Sequence, residues 1–237
     1  MVEEQDPAAE KRLARQLLRA ADRGALATIL AEGEPYASLV LVALDLDAAP
    51  LLLLSDLAEH SHNISRNPRV SLLIDGTGGL VDPLAGPRVS LIGWARVVSE
   101  GRLLARYIAR HPSAEAYAWF SDFKLYRMEI ERAHLVAGFG RIRWIEGKEI
   151  HLGGDVSALA AAEPDILAAL NADQGHALER RLGRGPGWRL TGIDPEGADY
   201  RREGEIARLD FAAEVRNADQ ARSALMAVDP PRRSEGA

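Results

Sequence analysis

Residues 55–67, SDLAEHSHNISRN, gather two histidines, three serines and two asparagines between apolar runs. Three chemistries suit those residue types. A metal clip would use His60 and His62, but residues at i and i+2 share a face only on a strand, and this stretch reads as the start of a helix. No HExxH pattern accompanies them and no carboxylate completes a site, so no metal is expected. A phosphate cradle is the second chemistry. A helix start following a buried strand presents unpaired amides and partial positive charge, with Ser55, Ser61 and Asn63 as side-chain donors and Arg66 or Arg69 as charge. The third reading is a capped linker helix, which residue types alone favour because Ser and Asn commonly cap helices.

Other chemistry is sparse. The chain has no cysteine, which removes disulfides, thiolate metal sites and thiol catalysis. Its remaining histidines are His111, His134, His151 and His176. GTGG at 76–79 lacks dinucleotide-fingerprint spacing and precedes no helix, and there is no GxSxG elbow or P-loop. Asp122, Lys124 and Arg127, near Trp119 and Phe120, suit either a pocket lining or a strand edge. Trp94 and Trp144 suit core or interface positions. No catalytic residue can be assigned.

Several elements must position these groups. AAEKRLARQLLRAADR has the spacing of an amphipathic helix ending at Gly24. ALATILAEG and EPYASLVLVALDLD read as strands around a Gly33–Pro35 turn, and APLLLLSD as a strand buried on both sides. RVSLLID and PRVSLIGWARVVS follow as strands, with Gly93 marking a bend or bulge. GRLLARYIARHP and SAEAYAWF read as helices broken at Pro112, and FKLYRMEIERAHLVAG and GRIRWIEGKEI as strands. These short links favour antiparallel pairing and a small barrel over a doubly wound sheet. From about Gly153–Gly154 the chain becomes Ala-rich. It reads as a helix split near Pro164, two or three short strands with turns at DPEG and REGE, and a helix capped by Asn217, followed by a mobile tail, DPPRRSEGA. The expectation is an α+β chain. A six- to seven-stranded antiparallel split β-barrel with flanking helices occupies 1–152, and a small α+β domain 153–237.

With 35 acidic and 29 basic residues the net charge is −6, which argues against nucleic acid as an obligate partner. The polar N-terminus has no signal-peptide core, and no apolar run reaches the roughly 18–20 residues of a membrane span. A cytoplasmic protein is expected.

Four stretches in this order, SDLAEHSHNISRNPRVSLL, DPLAGPRVSLIGWARVV, SDFKLYRMEIERAHLVAGFGR and TGIDPEGADYR, resemble the pyridoxamine-phosphate-oxidase-like FMN-binding split barrels. More narrowly, they resemble the subgroup that includes haem-utilisation proteins, in which a small α+β domain follows the barrel. The resemblance implies a homodimer holding FMN at its interface. The phosphate would lie among Ser55, His60, Ser61 and Asn63, with Ser38 and Val40 beside the isoalloxazine and Arg88 towards the flavin. It implies a flavin-dependent oxidoreductase acting on a small molecule. The alternatives are a haem-binding or haem-degrading barrel and a non-catalytic interaction module. Where relatives carry a phrase like HMNADH, this chain reads ALNADQ over 169–174, with His176 two residues further on.

Overall fold

The computed structural model describes residues 6–172 and 185–227. The chain divides into two compact units, Met1–Gly153 and Gly154–Ala237. His176, Asp173, Gln174 and the tail after residue 227 lie outside the described residues.

In the first unit, helix α1 (Pro7–Ala20) is capped by Asp6, whose carboxylate accepts the Ala8 amide at 2.9 Å, with Pro7 in the first turn. Its apolar stripe buries Ala14, Leu17 and Leu18. The strands are β1 (Arg23–Ile29), β2 (Pro35–Leu41), β3 (Ala43–Leu44), β4 (Pro50–Ser55), β5 (Arg69–Asp75), β6 (Arg88–Val98), β7 (Phe123–Val136) and β8 (Ile142–Glu146). They form one curled antiparallel sheet in the order β2-β1-β5-β6-β7-β4-β3, with β8 alongside β7. Helix α2 (Glu59–Arg66) links β4 to β5, and helix α3 (Gly101–Arg110) follows β6. The architecture is α+β, an antiparallel half-barrel with flanking helices.

The sequence dictates this directly in places. The unbroken apolar run of β4 serves two cores, Leu52 and Leu54 in the barrel interior and Leu51 and Leu53 against Leu103 and Tyr107 of α3. Gly93 sits where the β6–β7 register shifts, and a Cβ there would run into the Glu129 carbonyl oxygen, so the bulge needs glycine. Gly33 turns the β1–β2 hairpin at φ 94°, in the left-handed region.

Other expectations are corrected. The stretch after β8 does not stay extended. It closes a short helix, α4 (Gly147–Ile150), because Glu146 and Glu149 form a reciprocal capping box. Residues 112–116 form a 3₁₀ turn rather than a helix reaching residue 120. In the second unit, helix α5 (Ser157–Ala172) runs straight through Pro164. The amide lost there costs about 3 kcal/mol. Burial of Leu159 and Ile166 on either side, with packing of the helix on strand β9 (Arg189–Asp194), opposes that cost. Strands β9, β10 (Gly197–Arg202) and β11 (Glu205–Asp210) make a three-stranded antiparallel sheet. It is held by Arg208, which pairs with Asp194 at 2.7 Å and Asp199 at 2.9 Å. Helix α6 (Ala218–Ala227) is capped by Asn217, whose side chain accepts the Gln220 amide at 3.0 Å.

Candidate functional site

Side chains alternate across a strand, so the register of the sheet sorts them into rows on two faces. The row Ser38–Leu26–Leu72–Leu91–Ala133–Ile145 faces the core. The next row, each member one residue away, is Leu39–Ala25–Leu73–Ser90–His134–Trp144, and it faces outwards.

The inner face carries most of the expected site. Helix α2 packs over β1 and β2. Asn63 is fully buried and donates from Nδ2 to the Thr28 hydroxyl of β1 at 3.0 Å. Ser38 Oγ of β2 lies 3.0 Å from His60 Nδ1. Burial holds His60 below the usual imidazole range, so it favours the neutral ring. Val40 is buried in the barrel core. Ser61 is buried too, and its hydroxyl has no hydrogen-bond partner among the described residues, nor does Asn63 Oδ1.

Ser55 belongs to a different group at the mouth of α2. It donates to Asp122 at 2.9 Å and accepts the Leu57 amide at 3.2 Å. The N-cap itself is Ala58, which has no side-chain bond to offer. Asp56 takes Lys124 at 2.7 Å, leaving Asp56, Asp122 and Glu59 as carboxylates around the helix start. Arg127, the third member of the suspected pocket lining, turns instead to Asp47, to which it donates, and to Asp45 at 3.5 Å. In one chain the donors of the bridge are therefore shared among Asp122, Ser38 and Thr28, and do not converge on one point.

Arg88 stands apart from that cluster. It opposes Asp75 at the end of β5 remote from α2, six residues beyond Arg69, which is about 20 Å along a strand. It lies on the outer face, so the sheet separates it from Ser38, His60 and Asn63. Its guanidinium donates to the Leu84 and Gly86 carbonyls at 2.7 and 3.1 Å. Asp75 is occupied by Thr77, whose hydroxyl and amide donate at 2.6 and 2.9 Å.

Sequence reading missed the surroundings of Arg88. Along the outer rows, Leu39 is 73% exposed, Trp144 51% and Leu73 39%, separated by the small residues Ala25 and Ser90. His134 stacks on Trp144 with ring centroids 4.6 Å apart, and the Arg132 guanidinium sits 4.8 Å from the Trp144 ring centre. Beyond this face protrude Val81 and Phe139, both almost fully exposed. The two tips meet, since a Cβ on Gly138 would touch the Ala85 carbonyl. The alternation in β7, ERAHLV, was the available signal, but it needed the pairing with β8 to show that His134 and Trp144 are neighbours.

A curled antiparallel half-barrel with a helix bridging β4 to β5 is a split-barrel architecture. Within that class, the family described as CREG, beta-barrel matches residues 5–151, and the chain belongs to it. It is 33% identical over 150 residues to the "Non-canonical heme oxygenase HOZ, chloroplastic" of Arabidopsis thaliana, a match covering 60% of this chain and 45% of that protein. The chain thus spans less than half the length of this curated relative. The crystal structure of Atu2129 from Agrobacterium tumefaciens, a protein of unknown function, is 30% identical with a TM-score of 0.79, covering 95% of this chain and 97% of that one. A heme binding protein from Mycobacterium smegmatis is 32% identical with a TM-score of 0.57, covering 94% and 96%. No helix among the described residues is long and apolar enough to cross a membrane.

Proposed function

We propose that this chain is a haem-binding split-barrel protein of the haem-utilisation kind, working in the cytoplasm as a homodimer. The observation that carries the reading is the outer sheet face, where exposed Leu39, Leu73 and Trp144 lie beside the Arg132 guanidinium, which has no carboxylate partner among the described residues. Arg132 forms no ion pair among the described residues, while Arg69, Arg96 and Arg127 are each matched by a carboxylate and Arg88 is bonded to the Leu84 and Gly86 carbonyls opposite Asp75. Haem is a flat apolar ring with two carboxylates, so it needs apolar surface and an uncommitted arginine together. Two relatives more than 30% identical, one named for heme binding and one for heme oxygenation, support the same chemistry. When bound, haem would supply an iron centre for oxygen or electron chemistry, and the protein would orient it and tune it. Val81 and Phe139 add exposed apolar surface that a second copy of the chain would cover.

A second reading, an FMN-dependent oxidoreductase, draws on one observation. Ser61 Oγ and Asn63 Oδ1 are buried at α2 without partners among the described residues, as a ligand-facing shell would leave them. Against it, Asp56, Asp122 and Glu59 ring the helix start, where a phosphate would meet three carboxylates and a single cation, Lys124, already paired with Asp56.

Absorbance of the purified protein, titrated separately with ferric haem and FMN, tests both. A saturable Soret shift with no quenching of FMN fluorescence is expected. FMN quenching without a Soret change would replace the first reading by the second. Neither response, with a co-purifying protein partner, would leave an interaction module. Light scattering should give twice the chain mass.

A further inference from the structure

We infer that two copies of the chain meet through the outer face in reverse orientation, the Phe139 and Val81 tips of each entering an apolar cavity beside α3 of the other. This rests on the homodimer proposed above and adds where and how the copies dock.

Both halves of the contact lie at opposite ends of the same two strands. Before the start of β6 and after the end of β7, Val81 and Phe139 stand almost fully exposed. Phe139 sits between Gly138 and Gly140, both in the left-handed region, and the Arg88 guanidinium ties down the neighbouring loop through the Leu84 and Gly86 carbonyls. The fold thus presents the tips, which limits the ordering cost of docking. At the other end lies a cavity of about 270 Å³, lined by Leu53, Val97, Val98, Leu104, Phe123 and Leu125. Leu53 and Leu125 face α3 and not the barrel interior, so the cavity opens on the outer side of the sheet. Its mouth is open at Gly101, where a Cβ would meet nothing within 4 Å. An apolar cavity of about 150 Å³ already admits benzene, so a phenyl ring fits. Arg88 and Val98, at the two ends of β6, stand about 33 Å apart, too far for the tips to reach the cavity of their own chain.

Register makes the face self-complementary. Strand β6 is centred on Gly93, where the pairing with β7 shifts. A two-fold axis lying across the strands at Gly93 leaves each strand over its own copy and reverses its direction. Val98 and Leu125 then come over the partner's Arg88 and Val136, which the register pairs in the same way. Phe123, two residues further out, comes over the partner's Gly138, beside the Phe139 tip. Helix α3 packs over β3 and β4, to one side, and leaves the space above β6 and β7 to the tips. Charge follows the same symmetry. Arg132 opposes Ile92 and Glu129 opposes Trp94, one residue to either side of Gly93. The axis therefore sets Arg132 over the partner's Glu129, twice. Glu129 accepts Arg96 at 3.1 Å and keeps acceptor sites for a second cation. Tip, cavity, arginine and carboxylate all recur in reverse order about one point, a match that a second copy supplies by symmetry. The row through Ser90 and His134 lies three residues off the axis, which gives the dimer two equivalent haem faces.

Disulfide trapping in the full chain tests this, since the sequence has no cysteine of its own. Phe139→Cys combined with Val97→Cys puts two thiols at opposite ends of β6 and β7, far beyond the roughly 7 Å between Cα atoms that a disulfide can bridge within one chain. On oxidation the double variant should run as a covalent dimer on a non-reducing gel, and each single variant as a monomer. Phe139→Glu, at an exposed tip, should raise the dimer dissociation constant at least tenfold in analytical ultracentrifugation. Arg132→Glu should raise it severalfold, and adding Glu129→Arg should recover it. With a dimeric unaltered chain, absence of the cross-link or an unchanged dissociation constant for Phe139→Glu overturns the docking while the homodimer stands. If the unaltered chain is a monomer at every concentration, the homodimer itself fails, and co-sedimentation with phosphatidylserine vesicles would assign the tips to a lipid surface.

Discussion

Leu72 and Leu73 are neighbours in sequence and belong to opposite faces of one sheet, and their surroundings differ in kind. The row through Leu72 looks into a closed core whose polar groups are mostly matched: Asn63 with Thr28, His60 with Ser38. The row through Leu73 looks out on an apolar surface where, among the described residues, Arg132 and His134 are held only by the Trp144 ring. Groups that have spent their hydrogen bonds within the fold contribute to stability, and groups left uncommitted beside apolar surface are available to a ligand. The residue types on the inner face look more like a site, but the bonding on the outer face leaves more for a ligand to use.

Substitutions can break or sharpen this contrast. The largest effect is expected from Leu72→Ala, which empties a fully buried position and should cost about 2–5 kcal/mol in chemical denaturation. Leu73→Ala, one residue away, should change stability by about 0.5 kcal/mol or less and weaken haem binding. Equal stability losses at the two positions would erase the distinction. Next in size is Asn63→Ala, which leaves the buried Thr28 hydroxyl without its partner and should cost about 1–3 kcal/mol with little effect on haem affinity.

The third expectation concerns acidity. Burial depresses the His60 pKa below its unfolded value of 6.5, so the unfolded chain binds the extra proton. Stability should therefore fall as pH drops through about 6.5 towards the folded pKa, and His60→Gln should flatten that slope in denaturation curves measured from pH 7.5 to 5. An unchanged slope would mean His60 is not the neutral, buried group described. The smallest effect is expected from Ser61→Ala. Its hydroxyl is buried without a partner among the described residues, so removal should shift stability by about 0.5 kcal/mol or less, in either direction. A large loss of FMN binding in that variant would return the site to the inner face.

The fold was more legible than the site. Apolar alternation and short links specify an antiparallel barrel, the unbroken β4 run announces burial on both sides, and Gly93 marks a bulge. Where reading failed, a local device or a distant partner prevailed, as in the Glu146–Glu149 capping box, or the packing that carries α5 through Pro164. The site residues of 55–63 were visible by type, yet their partners Ser38, Thr28 and Asp122 stand 22, 35 and 67 residues away in sequence. Arg88 was singled out, but its company on the outer face depends on strand register, which sets Ser90, His134 and Trp144 side by side. That register is a property of the folded sheet and of no local stretch.

Paramagnetic broadening decides most directly between the faces. In amide NMR spectra of the isotope-labelled chain, adding ferric haem should broaden the resonances of Leu73, Ser90, His134 and Trp144 first. Those of Glu59–Arg66 in α2 should stay sharp. Broadening centred on α2, with His134 and Trp144 unaffected, would contradict the assignment of the outer face as the ligand site.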